Sequence, residues 1–146
     1  MDERLSEYFV GGGYFMLWKS SYETGVDEID RQNFDLLSCV EAMMGPDAAS
    51  TKLIQLETFE TLVTRYFTFE QGIHTKSRYF DADKHEYYHA AYIKSLQGIK
   101  RNFEKTGATL ENEKIFIREV VEPLQNHIMC HDKLFAFFFH NNIAYA

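Results

Sequence analysis

The chain has 146 residues and a formal net charge of −7, with 45% hydrophobic and 16% aromatic residues. This length suffices to bury a core, so we predict one domain over residues 1–146. The acidic balance argues against binding nucleic acid, because phosphate contacts need clustered Lys and Arg. With no signal peptide at its start and no apolar run long enough for a membrane span, we expect a cytoplasmic protein without a membrane partner.

The predicted elements begin with an N-terminal arm. Residues 1–22 carry no sustained helical period, and we expect them to lie across the domain with Trp18 as an apolar anchor. Beyond them, inward-facing positions recur at steps of three and four, which predicts helices at about 26–44, 51–79, 82–105 and 110–139. Four long helices joined by short loops predict an all-α, up-down-up-down four-helix bundle.

Two residues should shape the later helices. Asp81 is a good N-cap for the third helix, because a carboxylate accepts hydrogen bonds from the free N–H groups of a first turn. Pro123 lies inside the fourth helix, where its ring and its missing N–H should bend or locally open the backbone.

Polar side chains occupy the same mid-height zone of the inward-facing stripe in every predicted helix. They are Asn33 in the first helix, Tyr66 and Glu70 in the second, His85 and His89 in the third, and His127 with His131 or Asp132 in the fourth. His85 and His89 lie four residues apart, so on a helix both rings can meet one ion. Buried imidazoles and carboxylates need a metal, mutual pairing or water to neutralise them. The cluster therefore predicts a metal site in the bundle core.

The order and spacing of these residues resemble those of the hemerythrins and bacteriohemerythrins. The shared pattern is W-x3-Y-x2-G-V-x2-I-D-x-Q from Trp18 to Gln32, then F-x2-E-Q, H-x3-H and H-I-x3-D, and it extends to about Phe138. The resemblance implies a four-helix bundle that holds two non-haem irons through five histidines. It further implies that a glutamate and an aspartate bridge the metals and that dioxygen binds reversibly at one iron.

Carried over position by position, the resemblance implies five metal ligands, namely Glu70, His85, His89, His127 and Asp132. Asn33 and Tyr66 stand where the family has the two histidines of the iron that binds dioxygen. Asparagine offers a weak neutral oxygen, and a tyrosine must lose a proton of pKa about 10 before it ligates strongly. The resemblance therefore implies one intact metal set and a second site that has lost its nitrogen ligands.

The fourth helix offers two candidates for one ligand position. Simple periodicity favours His131, which follows His127 by four residues, whereas the family pattern favours Asp132, which follows it by five. We expect Asp132 to face the core, because Pro123 can shift the phase of the helix.

Two residues of the second helix are further candidates. Tyr66 could ionise and bind a ferric ion, but we favour a neutral phenol that fills the vacant volume and hydrogen-bonds Glu70. His74 lies one turn beyond Glu70, where the family usually has methionine. It could complete a ligand set or support a ligand, and we expect an ordinary, partly exposed histidine.

The function predicted first is a hemerythrin-like non-haem metal protein with one ion, in oxygen or redox sensing or metal binding. Iron is the expected metal, with zinc and manganese as alternatives. Two further hypotheses are a diiron oxygen-binding bacteriohemerythrin with substituted ligands, and an iron enzyme that reacts with peroxide or nitric oxide. A metal-free structural bundle is a fourth, against which the five retained ligands argue. Expected partners are dioxygen, another small diatomic molecule or peroxide, and a second copy of the chain.

Overall fold

The computed structural model describes residues 9–10, 13–14, 17–44 and 51–143. Two short strands, β1 (Phe9–Val10) and β2 (Gly13–Tyr14), pair antiparallel, with Phe9 opposite Tyr14. A 3₁₀ turn follows at Ser20–Tyr22. Residues 1–8, 11–12 and 15–16 of the predicted arm lie outside the described residues.

The predicted all-α bundle is confirmed by four long helical stretches. The first three are α1 (Asp27–Met43), α2 (Lys52–Ser77) and α3 (Ala82–Thr106). The fourth stretch consists of α4 (Leu110–Phe116), a first π segment (Ile117–Val121), α5 (Glu122–Asn126), a second π segment (His127–Asp132) and α6 (Lys133–Ile143). Helix α2 contacts both α1 and α3, and α3 contacts the fourth stretch through α4 and the first π segment.

The observed helix ends depart slightly from the prediction. Helix α2 stops at Ser77, because Arg78 adopts a left-handed backbone conformation with φ 55° that ends the helix. Asp81 occupies the N-cap position of α3, but its side chain makes no capping hydrogen bond, so that expectation is wrong. Its φ of −105° and ψ of 17° lie outside the extended region from which N-cap side chains reach the first turn.

The fourth stretch widens on both sides of Pro123, which confirms the predicted local opening. Proline lacks an N–H, and its ring clashes with the carbonyl four residues earlier in a regular α-helix. The first π segment, Ile117–Val121, ends just before Pro123 and supplies a wider turn there. The second, His127–Asp132, brings residues five apart toward one face.

Two apolar clusters fill the bundle and bound the polar zone. The larger lies among all four stretches and includes Leu36, Val40, Leu56, Phe59, Val63, Phe67, Leu96, Ile99, Phe116 and Val120. The smaller is built on Ile29, Tyr79 and Phe135. His89 stacks on Phe67 of the first cluster, and Phe135 of the second packs against His74. The polar side chains therefore lie between two water-excluding layers.

Two predictions about aromatic residues have different outcomes. Trp18 packs edge-on against Phe34 of α1, with the ring centroids 5.8 Å apart, so its role as an apolar anchor is confirmed. In the Phe-rich end of the fourth stretch, Phe135 is buried whereas Phe137 is 70% exposed. Self-association through this region stays a prediction. Within the described ranges, none of the helices combines the length and apolarity needed to cross a bilayer.

Candidate metal centre

Three helical stretches deliver the predicted side chains to one buried place. Helix α2 supplies Glu70, α3 supplies His85 and His89, and the second π segment supplies His127 and Asp132. All five are buried, and His127, at 7%, is the most exposed of them. The first four fall on the inward-facing stripes of their helices, so the sequence pattern brings them together. Asp132 joins them through the π turn of its segment.

Four ligand atoms converge on a common point. The Nε2 atoms of His85, His89 and His127 lie 3.2, 3.0 and 3.6 Å from Glu70 Oε2. His127 Nε2 also lies 3.2 Å from each of the other two Nε2 atoms. Donor atoms about 2.1 Å from one ion stand roughly 3.0–3.4 Å from their nearest neighbours. The observed spacing therefore fits a single ion.

The surroundings of Glu70 Oε2 support that fit. This oxygen is buried and has no hydrogen-bond partner within the described part of the chain, although three ring nitrogens surround it. The ring nitrogens thus lie close to the oxygen without the alignment of hydrogen bonds to it. Buried carboxylate oxygens are normally satisfied, and a cation bound among these atoms would satisfy this one. The mixed nitrogen and oxygen donors suit iron, manganese or zinc.

Asp132 is the fifth member of the cluster. Its Oδ1 lies 3.0 Å from His127 Nε2 and 3.4 Å from His85 Nε2, and it is 1% exposed. The expectation that Asp132, rather than His131, faces the core is confirmed, because the π turn brings a residue five positions after His127 to the inner face. Its role as a ligand stays a prediction.

Asn33 occupies one of the two positions where the family resemblance implies a histidine. It is 2% exposed, and its Nδ2 donates a 2.9 Å hydrogen bond to Asp132 Oδ2. The amide therefore orients a carboxylate of the cluster and leaves no nitrogen lone pair for an ion, since an amide nitrogen only donates.

Tyr66 occupies the other such position, and its expected hydrogen bond to Glu70 is wrong. Its hydroxyl donates to Asp35 Oδ2 on α1 at 3.0 Å, because that carboxylate is the acceptor within its reach. Burial raises the pKa of Tyr66, and Asp35 raises it further, so the phenolate needed for iron ligation is disfavoured.

His74 is buried, contrary to the expectation of a partly exposed side chain. It is 1% exposed, and its ring centroid lies 4.3 Å from that of His85 and 4.3 Å from that of Phe135. Neither ring nitrogen has a hydrogen-bond partner among the described residues. The sequence does indicate this burial, because His74 lies four positions after Glu70 and therefore shares its helix face.

Three side chains support the histidines from outside the cluster. Phe67 stacks on His89, with the centroids 3.7 Å apart and the planes within 2° of parallel. The Gln71 amide lies 3.3 Å from His89 Nδ1. His131 Nδ1 lies 3.1 Å from His127 Nδ1. Phe67 and Gln71 belong to the F-x2-E-Q motif, but the motif alone does not show what they contact.

A cleft of about 370 Å³ lies beside the centre, on the side where α3 meets the fourth stretch. Its walls include Tyr88, Tyr92, Arg118, Pro123, His127 and His131. The cleft is mostly apolar with a few polar groups, as small-molecule sites usually are. It gives a small molecule a route to the His127 side of the cluster.

In the absence of a metal, His127 and the two carboxylates of the cluster stabilise one another's charged forms. Burial alone would lower the pKa of His127, but Asp132 and Glu70 reverse this and raise it to about 10. Burial would likewise raise the pKa of Glu70, yet the neighbouring histidines hold it well below its usual range. A divalent ion displaces a proton from His127 when it binds, because ligating imidazoles must be deprotonated.

We expect the metal-free protein to be most stable near pH 6.5. The pKa of His127 rises on folding from 6.5 to about 10, so its stabilising contribution is complete below pH 6.5 and is lost as the pH rises to 10. Burial lowers the pKa of His74 from 6.5 to about 4, so stability is also lost as the pH falls through that window. Thermal unfolding in chelator across pH 4–10 checks this, and a melting temperature that climbs steadily to pH 10 would contradict it.

The chain is similar to a known protein. The chain is 25% identical over 111 residues to a myohemerythrin of Theromyzon tessulatum, across 76% of this chain and 82% of that protein. No family model matches the chain, and no solved structure matches it. The similarity and the buried group of histidines and glutamate together suggest a hemerythrin-like metal-binding protein.

Proposed function

We propose that this chain is a hemerythrin-like protein that holds one iron ion and acts in oxygen or redox sensing or in metal binding. The observation that carries the proposal is the convergence of Glu70 Oε2 with the Nε2 atoms of His85, His89 and His127. Within the described ranges, these four residues are the group of His, Cys, Asp and Glu whose ligand atoms lie within 4.8 Å of one another. With Asp132, they offer three nitrogens and two carboxylates to the ion.

The choice of iron rests on the similarity to myohemerythrin and on the donor set. Raw affinity for such donors favours copper or zinc over iron, so metal supply in the cell decides the occupant. When bound, iron supplies a redox-active centre. The chain's own residues hold it in place: Asn33 orients Asp132, and Phe67 covers one face of His89 and keeps water from it.

The surroundings of the two substituted positions support a single ion. The Asn33 amide is engaged by Asp132, and the Tyr66 hydroxyl is engaged by Asp35. A second ion beside Glu70 and Asp132 would find carboxylate oxygens but no nitrogen from either position. Reversible dioxygen carriage, which the resemblance assigns to the second iron, is therefore not expected of this chain.

Two observations favour the other candidate functions. The unpartnered nitrogens of buried His74 favour a diiron oxygen-binding protein, in which a shifted His74 ring would serve a second ion. The cleft that reaches His127 favours an iron enzyme, because peroxide, nitric oxide or dioxygen could approach through it. Both depend on the same cluster, so one experiment separates all three.

The test is an absorption experiment on protein loaded anaerobically with Fe²⁺. Air is admitted and then removed by degassing, and peroxide or nitric oxide is added to separate samples. The single-ion proposal predicts no visible band that appears with dioxygen and fades on its removal. A reversible band would support the diiron protein, and continuous consumption of peroxide or nitric oxide would support the enzyme.

A further inference from the structure

The two ring nitrogens of His127 lie in different surroundings. Nε2 faces the cluster, 3.2 Å from the Nε2 atoms of both His85 and His89. Nδ1 lies on the opposite side of the ring, 3.1 Å from Nδ1 of His131. Because two N–H groups, or two lone pairs, would repel at that distance, one of the two Nδ1 atoms donates and the other accepts.

The direction of that hydrogen bond follows from the proposed function. An imidazole that binds a metal through Nε2 has no proton there, so a neutral His127 carries its proton on Nδ1. His127 therefore donates, and His131 accepts through its own Nδ1. Such an acceptor fixes the tautomer and the ring orientation of a metal ligand and makes its ligating nitrogen more basic.

We propose that His131 is a positioning residue, which holds His127 in the tautomer and orientation that the metal needs. This inference rests on the proposed function, since it gives His131 no role without an ion at His127 Nε2. It also gives a role to His131, which simple periodicity favours over Asp132 for the inward-facing position. The π turn sends Asp132 to the inner face and leaves His131 beside the outer nitrogen of His127.

His131 is itself held in place by an aromatic neighbour. Its ring stacks on Tyr88 of α3, with the centroids 4.3 Å apart and the planes 19° from parallel. The stack limits rotation of the His131 ring and keeps Nδ1 directed at its partner. His131 is only partly buried and lines the cleft, so its substitution leaves the apolar core untouched.

Two variants separate the acceptor from the aromatic ring. His131→Phe keeps a ring that can stack on Tyr88 but removes the accepting nitrogen. His131→Asn loses the ring but places an amide oxygen where Nδ1 stood. We expect Co²⁺ affinity, measured by competition with a chelator, to weaken about 10- to 100-fold in His131→Phe. The affinity of His131→Asn should stay within about threefold of the wild type, because the acceptor is retained.

Other outcomes overturn the inference in distinguishable ways. A His131→Phe protein that binds Co²⁺ as tightly as the wild type would show that the acceptor contributes nothing. Weaker binding in His131→Asn but not in His131→Phe would assign the effect to the ring stack. A wild-type chain that binds no Co²⁺ would overturn the proposed function and this inference with it.

A measurement on the wild type keeps the test independent of how the variants fold. Nitrogen-15 NMR of the Zn²⁺-loaded protein reports which ring nitrogen of His127 carries the proton. The inference predicts the proton on Nδ1 and the metal on Nε2. The reverse assignment would overturn it.

Discussion

Glu70→Gln is expected to weaken metal binding by more than about 100-fold, beyond the usual cost of losing a supporting hydrogen bond. Glu70 Oε2 stands within 3.0–3.6 Å of three ring nitrogens and is buried without a hydrogen-bond partner among the described residues. Glutamine has nearly the same shape but carries no charge, so it removes one of the two carboxylates that lie against those nitrogens. Chelator competition with Co²⁺ measures the loss.

The matched control for this change is Glu57→Gln on the same helix. Glu57 is exposed, so its replacement changes the net charge by the same amount without touching the cluster. We expect the control to bind metal as the wild type does. Equal affinity in Glu70→Gln and the wild type would mean that the ion binds elsewhere.

The double variant Asn33→His with Tyr66→His is expected to bind a second ion. Asn33 already reaches Asp132 Oδ2 at 2.9 Å, so a histidine there would place a nitrogen beside the outer oxygen of that carboxylate. Residue 66 lies one turn before Glu70 on the same helix face, so a histidine there could direct a nitrogen at the outer side of Glu70. Two nitrogens and two carboxylates would then converge beside the first ion.

The count of Co²⁺ ions per chain measures this gain. We expect two ions in the double variant and one in each single variant, because one added nitrogen leaves the second site incomplete. One ion in the double variant would mean that restoring the two histidines is not sufficient to build a second metal site in this chain.

The bundle and its cluster could be predicted from the sequence because residues spaced at the helical period share one face, and that face is buried in a bundle. Glu70, His85, His89 and His127 each fall on an apolar stripe, and four packed stripes bring such positions to one core. The ends of the helices were less predictable. Arg78 ends α2 by adopting a left-handed backbone conformation. Arginine rarely adopts this conformation, so the sequence does not predict it.

The details that sequence reasoning missed depend on contacts between helices. Tyr66 turns to Asp35 on a neighbouring helix, and no spacing within its own helix reveals that acceptor. The burial of His74 follows from Phe135, which comes from the other end of the chain to cover it. The inward-facing position of Asp132 was predicted correctly, but the π turn that produces it is visible only in the backbone.

The most direct test of a single-ion centre is the number of metal ions per chain. Protein purified from iron-supplemented cells is measured by elemental analysis beside two variants, His85→Ala from the cluster and His140→Ala from an exposed position on α6. We predict close to one ion per chain, lost in His85→Ala and retained in His140→Ala. Two ions in the wild type would contradict the single-ion site, and none would leave a bundle without a metal function.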